Sequence, residues 1–333
     1  MIVRPYPKFL YALDRMLPRI DSRDKKLTEI KGQRESTFYG FQGELRADRY
    51  LRRAQLPAGT LILHDLTLDI LGSDQVQIDT IVLTKSAIWV LEIKNIYGTL
   101  ELEEYPARLR RTTGNGKVHY FESPIVQLNH ATDALNYWLA IQDIEIPVKG
   151  AVLLASRNVD AHFPVGSPVH LVTEIPSLIR RESAAPAVVD DAAIQWIAAV
   201  LRKQEEPFHP FPLEAHFNMS RGSIYTGHLC DNCSGKLISK TNRLGVCLSC
   251  GNRQWLPFLH TLVDLFLCSQ RLINNSTCQE LLGVGRSMAA KLLANEMFER
   301  HGNSKAALYG LNYSKLRISQ EGELILPGMP NIV

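Results

Sequence analysis

Apolar and β-branched residues come in short runs between residues 60 and 155, and these runs predict a β-sheet core. Glycine, serine and charged residues separate the first three runs, as expected of tight connections between strands. The predicted strands are residues 61–68, 76–84 and 87–95. A fourth run, residues 148–155, is almost purely apolar, which is typical of a strand covered on both faces. Two shorter segments, residues 98–102 and 117–121, are predicted to extend the same sheet.

Helical periodicity flanks this predicted sheet. Residues 8–35 are charge-rich with apolar residues at helical spacing, which predicts a basic helical arm. A second helix is predicted to start near Phe41. Pro124 favours the first turn of another helix, whose apolar positions form one stripe. Further helices are predicted near residues 174–182 and 189–205.

The composition is that of a globular protein. The 333 residues are 45% hydrophobic and 21% charged, and the chain is long enough for two or three domains. The net charge of +3 is uneven, because residues 221–333 carry 12 Lys and Arg against 7 Asp and Glu, whereas residues 1–220 carry 25 against 27. This basic part permits a nucleic-acid partner without requiring one. No run approaches the roughly 18 apolar residues of a membrane span, and the N-terminal residues lack a signal-peptide pattern, so a cytoplasmic protein is expected.

Charged residues interrupt two of the predicted strands. Asp79 lies within the second strand, and Glu92 and Lys94 lie at the end of the third. Because side chains alternate across a strand, Glu92 and Lys94 share a face, and a short turn would place Asp79 beside them. Two carboxylates and an ammonium suit a hard divalent cation such as Mg²⁺, which keeps sites for water and phosphate oxygens. The pattern favours metal-dependent phosphodiester hydrolysis, although the solvated face of an ordinary hairpin has the same pattern.

The sequence blocks around these residues are more specific. A helix with GFQGE, the strands QIDTIVL and IWVLEIKN, and a helix entered through SPIVQLNHATDAL occur in this order. Over about a third of the chain, this arrangement resembles the NERD (nuclease-related) domain, a branch of the PD-(D/E)xK nuclease superfamily. The resemblance implies a restriction-endonuclease-like αβββαβ core with Asp79, Glu92 and Lys94 as its metal-and-lysine triad. It also implies Glu44 as a further acidic member of the site and Gln127 as a polar accessory residue.

Four of the six cysteines form two closely spaced pairs. Cys230 and Cys233 make the first pair and Cys247 and Cys250 the second, in the spacing C-x2-C-x13-C-x2-C. Thiolates at this spacing can close a tetrahedral Zn²⁺ site. A structural zinc is therefore expected, holding a ribbon too small to fold without it.

The segment after the ribbon has the pattern of a small helical DNA-binding domain. Residues 277–282 and 287–298 predict two helices around a glycine-containing turn, and residues 301–309 resemble the wing hairpin of winged-helix domains. The candidate nucleic-acid contacts are Arg286, Ser287, Lys291 and Lys305. The stretch LLGVGRSMAAKLL also resembles a helix-hairpin-helix, and an ordinary helical pair packed on the ribbon is a further alternative.

These patterns predict an α/β protein (α+β, with a mixed sheet) in five parts. The parts are an N-terminal helical arm (1–36), a NERD/PD-(D/E)xK nuclease-like domain (37–206), a linker (207–226), a zinc ribbon (227–256) and a helical, winged-helix-like domain (257–333). The expected function is Mg²⁺- or Mn²⁺-dependent hydrolysis of phosphodiester bonds in DNA, with the C-terminal parts aiding substrate binding. The alternatives are a non-catalytic DNA-binding protein and a protein-interaction protein, each using the nuclease fold as a scaffold. Nucleic acid is the expected partner and a membrane is not, whereas a homo-oligomer or a complex with other DNA-processing proteins stays open.

Overall fold

The chain is divided by its internal contacts into two compact units. The computed structural model describes residues 4–70, 74–183, 185–203, 210–220, 222–241, 244–255, 257–303 and 306–326. Unit 1 comprises Met1–Arg4 and Phe38–Phe208, and unit 2 comprises Pro5–Thr37 and His209–Val333. Residues 5–37 therefore pack with the C-terminal part of the chain, while the domain bounds predicted from the sequence stay a prediction.

Two helices precede the first strand. α1 spans Lys8–Met16 and α2 spans Leu27–Arg53. The sequence predicts a separate helix from about Phe41, but residues 27–53 form one continuous helix of 27 residues. This helix contains glycines and no proline, and an isolated glycine costs a helix only about 1 kcal/mol. The glycines near residue 40 therefore do not end it.

Unit 1 continues with six consecutive strands, followed by a helix, three further strands and two helices. In chain order they are β1 (Leu61–Ile70), β2 (Asp74–Leu83), β3 (Ile88–Lys94), β4 (Gly98–Glu104), β5 (Ala107–Thr112), β6 (Val118–Glu122), α3 (Pro124–Ile141), β7 (Val148–Leu154), β8 (Val159–His162), β9 (Val169–Leu171), α4 (Ile175–Ser183) and α5 (Asp191–Lys203). The helices predicted from Pro124 and near residues 174–182 and 189–205 are all present.

The main sheet of unit 1 has five strands in the order β1-β2-β3-β7-β9. The first three are antiparallel neighbours, whereas β7 runs parallel to both β3 and β9. All four long strands of this sheet were predicted from the sequence, at nearly the observed bounds. The mixed sheet confirms the predicted fold class.

Alternation of side chains along β3 gives the main sheet a core on each face. Ile88 and Val90 are fully buried in the cluster that contains Leu135 of α3. Leu91 lies in the other cluster, which contains Leu51 of α2. Helices therefore cover both faces, and β3 is buried along nearly its whole length.

The segments at residues 98–102 and 117–121 do not extend the main sheet, and this prediction was wrong. They form β4 and β6 of a second sheet, in the order β6-β5-β4-β8, in which β5 was not predicted. Gly98 at the start of β4 has a φ of +105°, and a Cβ there would lie 2.5 Å from the carbonyl oxygen of Thr112. The chain thus leaves the main sheet after β3. Local sequence patterns do not determine which sheet the next strand joins.

Unit 2 contains α1, the first part of α2 and the elements after residue 209. These later elements are α6 (Leu213–His216), β10 (Leu237–Thr241), β11 (Leu244–Cys247), β12 (Arg253–Trp255), α7 (Pro257–Cys268), α8 (Asn275–Leu282), α9 (Arg286–Leu293), β13 (Phe298–His301), β14 (Leu308–Leu311), β15 (Arg317–Ile318) and β16 (Leu324–Ile325). Helix α1 packs on α7, and Asp264 of α7 accepts hydrogen bonds from Arg15 and Arg19 in the interior. Among the described residues, no helix is long and apolar enough to cross a membrane.

Candidate functional site

The strand register brings Asp79 next to the end of β3. Thr80 of β2 pairs with Leu91 of β3, so Asp79 and Glu92 are the next residues along these two neighbouring strands. The Oδ2 atom of Asp79 accepts a hydrogen bond of 2.8 Å from the backbone N–H of Ile93. Burial raises the pKa of Asp79, while the Ile93 hydrogen bond and the charge of Lys94 act in the opposite direction. The structure therefore places the Asp79 carboxylate beside the segment that carries Glu92 and Lys94.

Glu92 and Lys94 form an ion pair at the end of β3. The Lys94 Nζ atom lies 2.5 Å from Glu92 Oε1, and the two side chains are 25% and 9% exposed. Burial and the charge of Asp79 raise the pKa of Glu92 to about 7, although Lys94 acts against this rise. The pKa of Glu92 is thus raised even though Lys94 is in contact with it. Burial and the negative charge of Asp79 together outweigh the effect of the lysine.

Glu44 reaches the same site from α2. Its Oε2 atom lies 3.0 Å from the Nη1 atom of Arg4. Burial, followed by the charge of Asp65, raises the pKa of Glu44 to about 8, and Asp79 and Asp48 add to the rise. Glu44 and Asp79 thus act electrostatically on one another, as expected if both belong to one acidic site.

Gln127 of α3 lies at the edge of this acidic site. Its Nε2 atom donates a hydrogen bond of 2.6 Å to Glu122 Oε2 at the end of β6. Glu122 in turn contributes to the raised pKa of Glu92. The Gln127 Oε1 atom is buried and has no hydrogen-bond partner among the described residues. This acceptor is therefore available to a donor that the described residues do not supply.

Arg4 is the residue at this site that the sequence analysis missed. Its guanidinium is completely buried and forms ion pairs with Glu44, Asp48 and Asp65. It also donates 2.6 Å to the Thr80 hydroxyl and 3.2 Å to the Asp79 carbonyl oxygen. Arg4 lies 40 or more residues before its partners in the chain. A single arginine at this distance forms no local sequence pattern that would predict its contacts.

An irregularity in β1 places the carboxylate of Asp65. The β1–β2 register passes from His64 with Thr80 to Leu66 with Ile78, and Asp65 between them has a φ of +50°. Aspartate adopts this left-handed conformation more readily than most residues. The bend directs the Asp65 side chain to Arg4, at 3.4 Å. Polar residues in β1 were visible in the sequence, but the left-handed backbone conformation of Asp65 was not.

The donor set is rich in carboxylate oxygens, the ligands that a hard divalent cation prefers. Among the described residues, however, no three of these carboxylates bring oxygen atoms within 4.8 Å of one another. Five carboxylates lie around Arg4 and Lys94. They are Glu44, Asp48, Asp65, Asp79 and Glu92. Burial is the main cause of the raised pKa values of Glu44 and Glu92, and the neighbouring carboxylates add to it. A divalent cation held by carboxylate oxygens would offset the repulsion between them.

The four paired cysteines come together in the ribbon formed by β10, β11 and β12. Their Sγ atoms all lie within 4.8 Å of one another. Cys230 and Cys250 are 3.7 Å apart and Cys233 and Cys247 are 3.5 Å apart, measured between sulfurs. Tetrahedral zinc with sulfur at about 2.3 Å sets neighbouring sulfurs roughly 3.8 Å apart, so these spacings fit.

The local backbone favours the thiolate form that a metal needs. The main chain at Cys250 and Ser249 donates hydrogen bonds to the sulfur of Cys247 and lowers the pKa of this thiol to about 6. The Nδ2 atom of Asn252 lies 3.7 Å from Cys230 Sγ. The cluster can therefore hold a metal ion of the kind that thiolates select.

The predicted nucleic-acid contacts of the tail lie on an exposed helix face. Arg286, Ser287 and Lys291 are exposed on α9, while Ala289 and Leu292 are buried on its other side. Helix α9 ends earlier than predicted, and the hairpin of β13 and β14 occupies the region predicted as the wing. Lys305 lies outside the described residues. The winged-helix assignment stays a prediction.

Comparison with known proteins gives one family match. Neither the curated proteins nor the solved structures contain a match to this chain. The family model described as "nuclease-related domain" (NERD) matches residues 39–155, a range that contains α2 from residue 39, the strands β1–β7, and α3. Residues 39–155 of this chain therefore match the nuclease-related domain.

Proposed function

We propose that this protein is a metal-dependent nuclease that hydrolyses phosphodiester bonds, with DNA as its substrate and Mg²⁺ or Mn²⁺ as its cofactor. The observation that carries the proposal is the meeting of Asp79, Glu92 and Lys94 at the end of β3 within a nuclease-related domain. The excess of carboxylates at this point is costly without a cation and useful with one.

Each of these side chains has a role in the proposal. Asp79 and Glu92 hold the cation, with Glu44 as a further acidic ligand. A cation bound there lowers the pKa of a water molecule and offsets charge on the phosphate. The Lys94 ammonium donates to the attacking water or to a phosphate oxygen and so stabilises the developing negative charge. The unpartnered Oε1 atom of Gln127 accepts a hydrogen bond from a water molecule near Glu92.

The C-terminal part supplies affinity in this proposal. Cys230, Cys233, Cys247 and Cys250 hold a structural zinc ion, which suits a reducing compartment such as the cytoplasm. Arg286, Ser287 and Lys291 contact the DNA backbone from α9. The excess of Lys and Arg over Asp and Glu in residues 221–333 favours the same partner.

Cleavage assays with two variants test the proposal. Purified protein is incubated with labelled single- and double-stranded DNA and RNA, with and without Mg²⁺ or Mn²⁺. We expect cleavage only with metal, and we expect Lys94→Ala and Asp79→Asn each to reduce the rate at least ~100-fold, since each removes a group that acts on the reacting atoms. Lys85→Ala is a matched control, because Lys85 also pairs with a carboxylate, Asp191 at 3.1 Å, but away from the site.

The melting temperature of the same variants distinguishes the enzyme from a scaffold. In an enzyme, both variants lose activity, and the melting temperature of Asp79→Asn stays the same or rises because like-charge repulsion is relieved. If the Lys94–Glu92 pair is only structural, Lys94→Ala leaves a buried carboxylate without its partner and melts much earlier. That result, with no metal-dependent cleavage of any of the four substrates by the parent protein, would support the non-catalytic alternative.

A further inference from the structure

Four arginines surround a cavity of about 350 Å³ on unit 1. Three of them lie on α2, at positions 46, 49 and 53, and their spacing of three and four residues places them on one helix face. The fourth, Arg157, follows β7. The cavity wall also includes the hydroxyl-bearing residues Ser156 and Thr173.

The cavity adjoins the proposed catalytic lysine through the backbone. The Arg46 guanidinium donates a hydrogen bond to the carbonyl oxygen of Ala155. The N–H of Ala155 in turn donates 2.8 Å to the carbonyl oxygen of Lys94. Ala155, the residue after β7, therefore connects the arginine face of α2 with the end of β3, so the cavity and the acidic site are held by the same strand ends.

The charge of this cavity is positive and not balanced locally. None of the described residues that line it is Asp or Glu. Arg108 and Arg110 on the second sheet, by contrast, each contact a glutamate of β4. Within the cavity, Arg53 lies over the ring of Tyr50, 5.6 Å from its centroid, which leaves the guanidinium edge open to an anion.

We propose that this cavity binds a phosphate of the nucleic-acid backbone, adjacent to the phosphodiester that Lys94 and the acidic site act on. Planar guanidinium groups bind phosphate oxygens in pairs, and serine and threonine hydroxyls supplement them. The inference rests on the proposed function and adds a second phosphate-binding site to it. A cleft that holds a second phosphate beside the reacting one selects a polynucleotide over a mononucleotide.

Binding measured without divalent metal tests the cavity separately from the chemistry. The probes are fluorescein-labelled 20-nucleotide single-stranded DNA and the corresponding duplex, titrated with full-length protein by fluorescence anisotropy at several salt concentrations. Arg49→Ala/Arg157→Ala is compared with Arg52→Ala/Arg181→Ala, which removes the same charge from exposed positions of α2 and α4 outside the cavity. We expect the cavity variant to bind at least ~10-fold more weakly, and to reduce the salt slope by about 0.7 to 0.9, because one phosphate contact is lost.

Each outcome bears on one proposal. Equal affinity and salt slope in the two double variants would overturn the cavity, as would a parent protein that binds neither probe. Weaker binding by the cavity variant, with no cleavage by the parent protein in Mg²⁺ or Mn²⁺, would support the phosphate-binding cavity and contradict the proposed nuclease activity. Arg157→Lys, which keeps the charge and loses the paired donors, should recover the salt slope and only part of the affinity. Unchanged melting temperatures exclude misfolding as the cause.

Discussion

At the scale of single residues, Arg4 decides how the carboxylates of the site coexist. It is completely buried and pairs with three carboxylates at 3.0 to 3.4 Å. Placing a carboxylate in the interior costs several kcal/mol unless a partner compensates it. Arg4 is a permanent partner that holds these side chains together before any metal binds.

Replacing Arg4 with alanine should therefore destabilise unit 1 strongly. We expect a loss of about 3–5 kcal/mol in the free energy of unfolding, because buried carboxylates are left unpaired. Arg4→Lys should recover only part of the loss, since one ammonium cannot make the separate contacts of a guanidinium. Chemical denaturation measures the effect. Arg23→Ala, which removes an exposed partner of Asp21, is the control and should leave stability unchanged.

His64, next to Asp65 on β1, makes stability depend on pH. Burial, with a contribution from the charge of Arg4, lowers its pKa to about 4. The native histidine therefore stays neutral, while the unfolded chain takes up a proton below a pH of about 6.5. Its contribution to stability is complete above that pH and is lost as the pH falls towards 4.

Replacing His64 with leucine should flatten this dependence. Between pH 7 and pH 4.5 we expect the parent protein to lose on the order of 2 kcal/mol more than His64→Leu. Neither ring nitrogen has a hydrogen-bond partner among the described residues, so leucine removes no hydrogen bond within this part of the chain. Urea denaturation at the two pH values measures the difference. Parallel losses in parent and variant would contradict this account of His64, and His130→Leu on the exposed side of α3 is the control.

At the scale of elements, local patterns predicted well and non-local ones did not. Patterns of neighbouring residues predicted the long strands of the main sheet, helix α3 and the clustering of the four paired cysteines, and the structure contains all of them. The second sheet was missed because the choice of strand partner is made far along the chain, as with β4 and β8. For the same reason Asp79, Glu92 and Lys94 could be grouped from two adjacent strands, whereas Arg4 could not be assigned to them.

Helix α2 comes close to the end of β3, and one glycine makes this approach possible. A Cβ at Gly43 would lie 2.5 Å from the Cβ of Asn95 and 3.3 Å from the Cβ of Ala155. At Gly40, one turn earlier, a Cβ would meet nothing within 4 Å. The two glycines therefore lie in the same helix, but only Gly43 packs closely against other residues.

Alanine at these two positions should have opposite effects. Gly43→Ala should destabilise by about 1–3 kcal/mol, because backbone or packed side chains must move. Gly40→Ala should stabilise by about 0.5–1 kcal/mol, because alanine is the better helix former. Thermal melting of both variants measures the contrast. If Gly43→Ala were as stable as Gly40→Ala, the close packing of α2 on β3 would be refuted.

At the scale of the whole molecule, the two units have their own cores and suit different metal ions. Carboxylate oxygens in unit 1 favour a hard cation, and thiolates in unit 2 favour zinc. Within the ribbon, the buried hydrophobic cluster of the described residues is small, consisting of Cys230, Leu237 and Cys247. Such a core cannot replace the contribution of a metal.

Calorimetry should therefore show two thermal transitions with separate metal responses. We expect Mn²⁺ to raise one transition and a zinc-selective chelator to lower the other. Asp79→Asn should remove the response to Mn²⁺ and keep the response to the chelator, whereas Cys247→Ser should do the reverse. A single transition that moves with both reagents would contradict independent metal responses in the two units.

The burial of Arg4 also constrains the timing of folding on the ribosome. Thr80, to which Arg4 donates a hydrogen bond, is synthesised 76 residues later. At about 5–20 residues per second, translation takes roughly 4 to 15 s to cover that distance. Glu44 and Asp48 are synthesised well before β2. Their buried ion pairs with Arg4 therefore cannot be complete until β2 has been synthesised. A translational pause between Asp48 and Thr80 would lengthen this wait, whereas a pause before Arg4 would not.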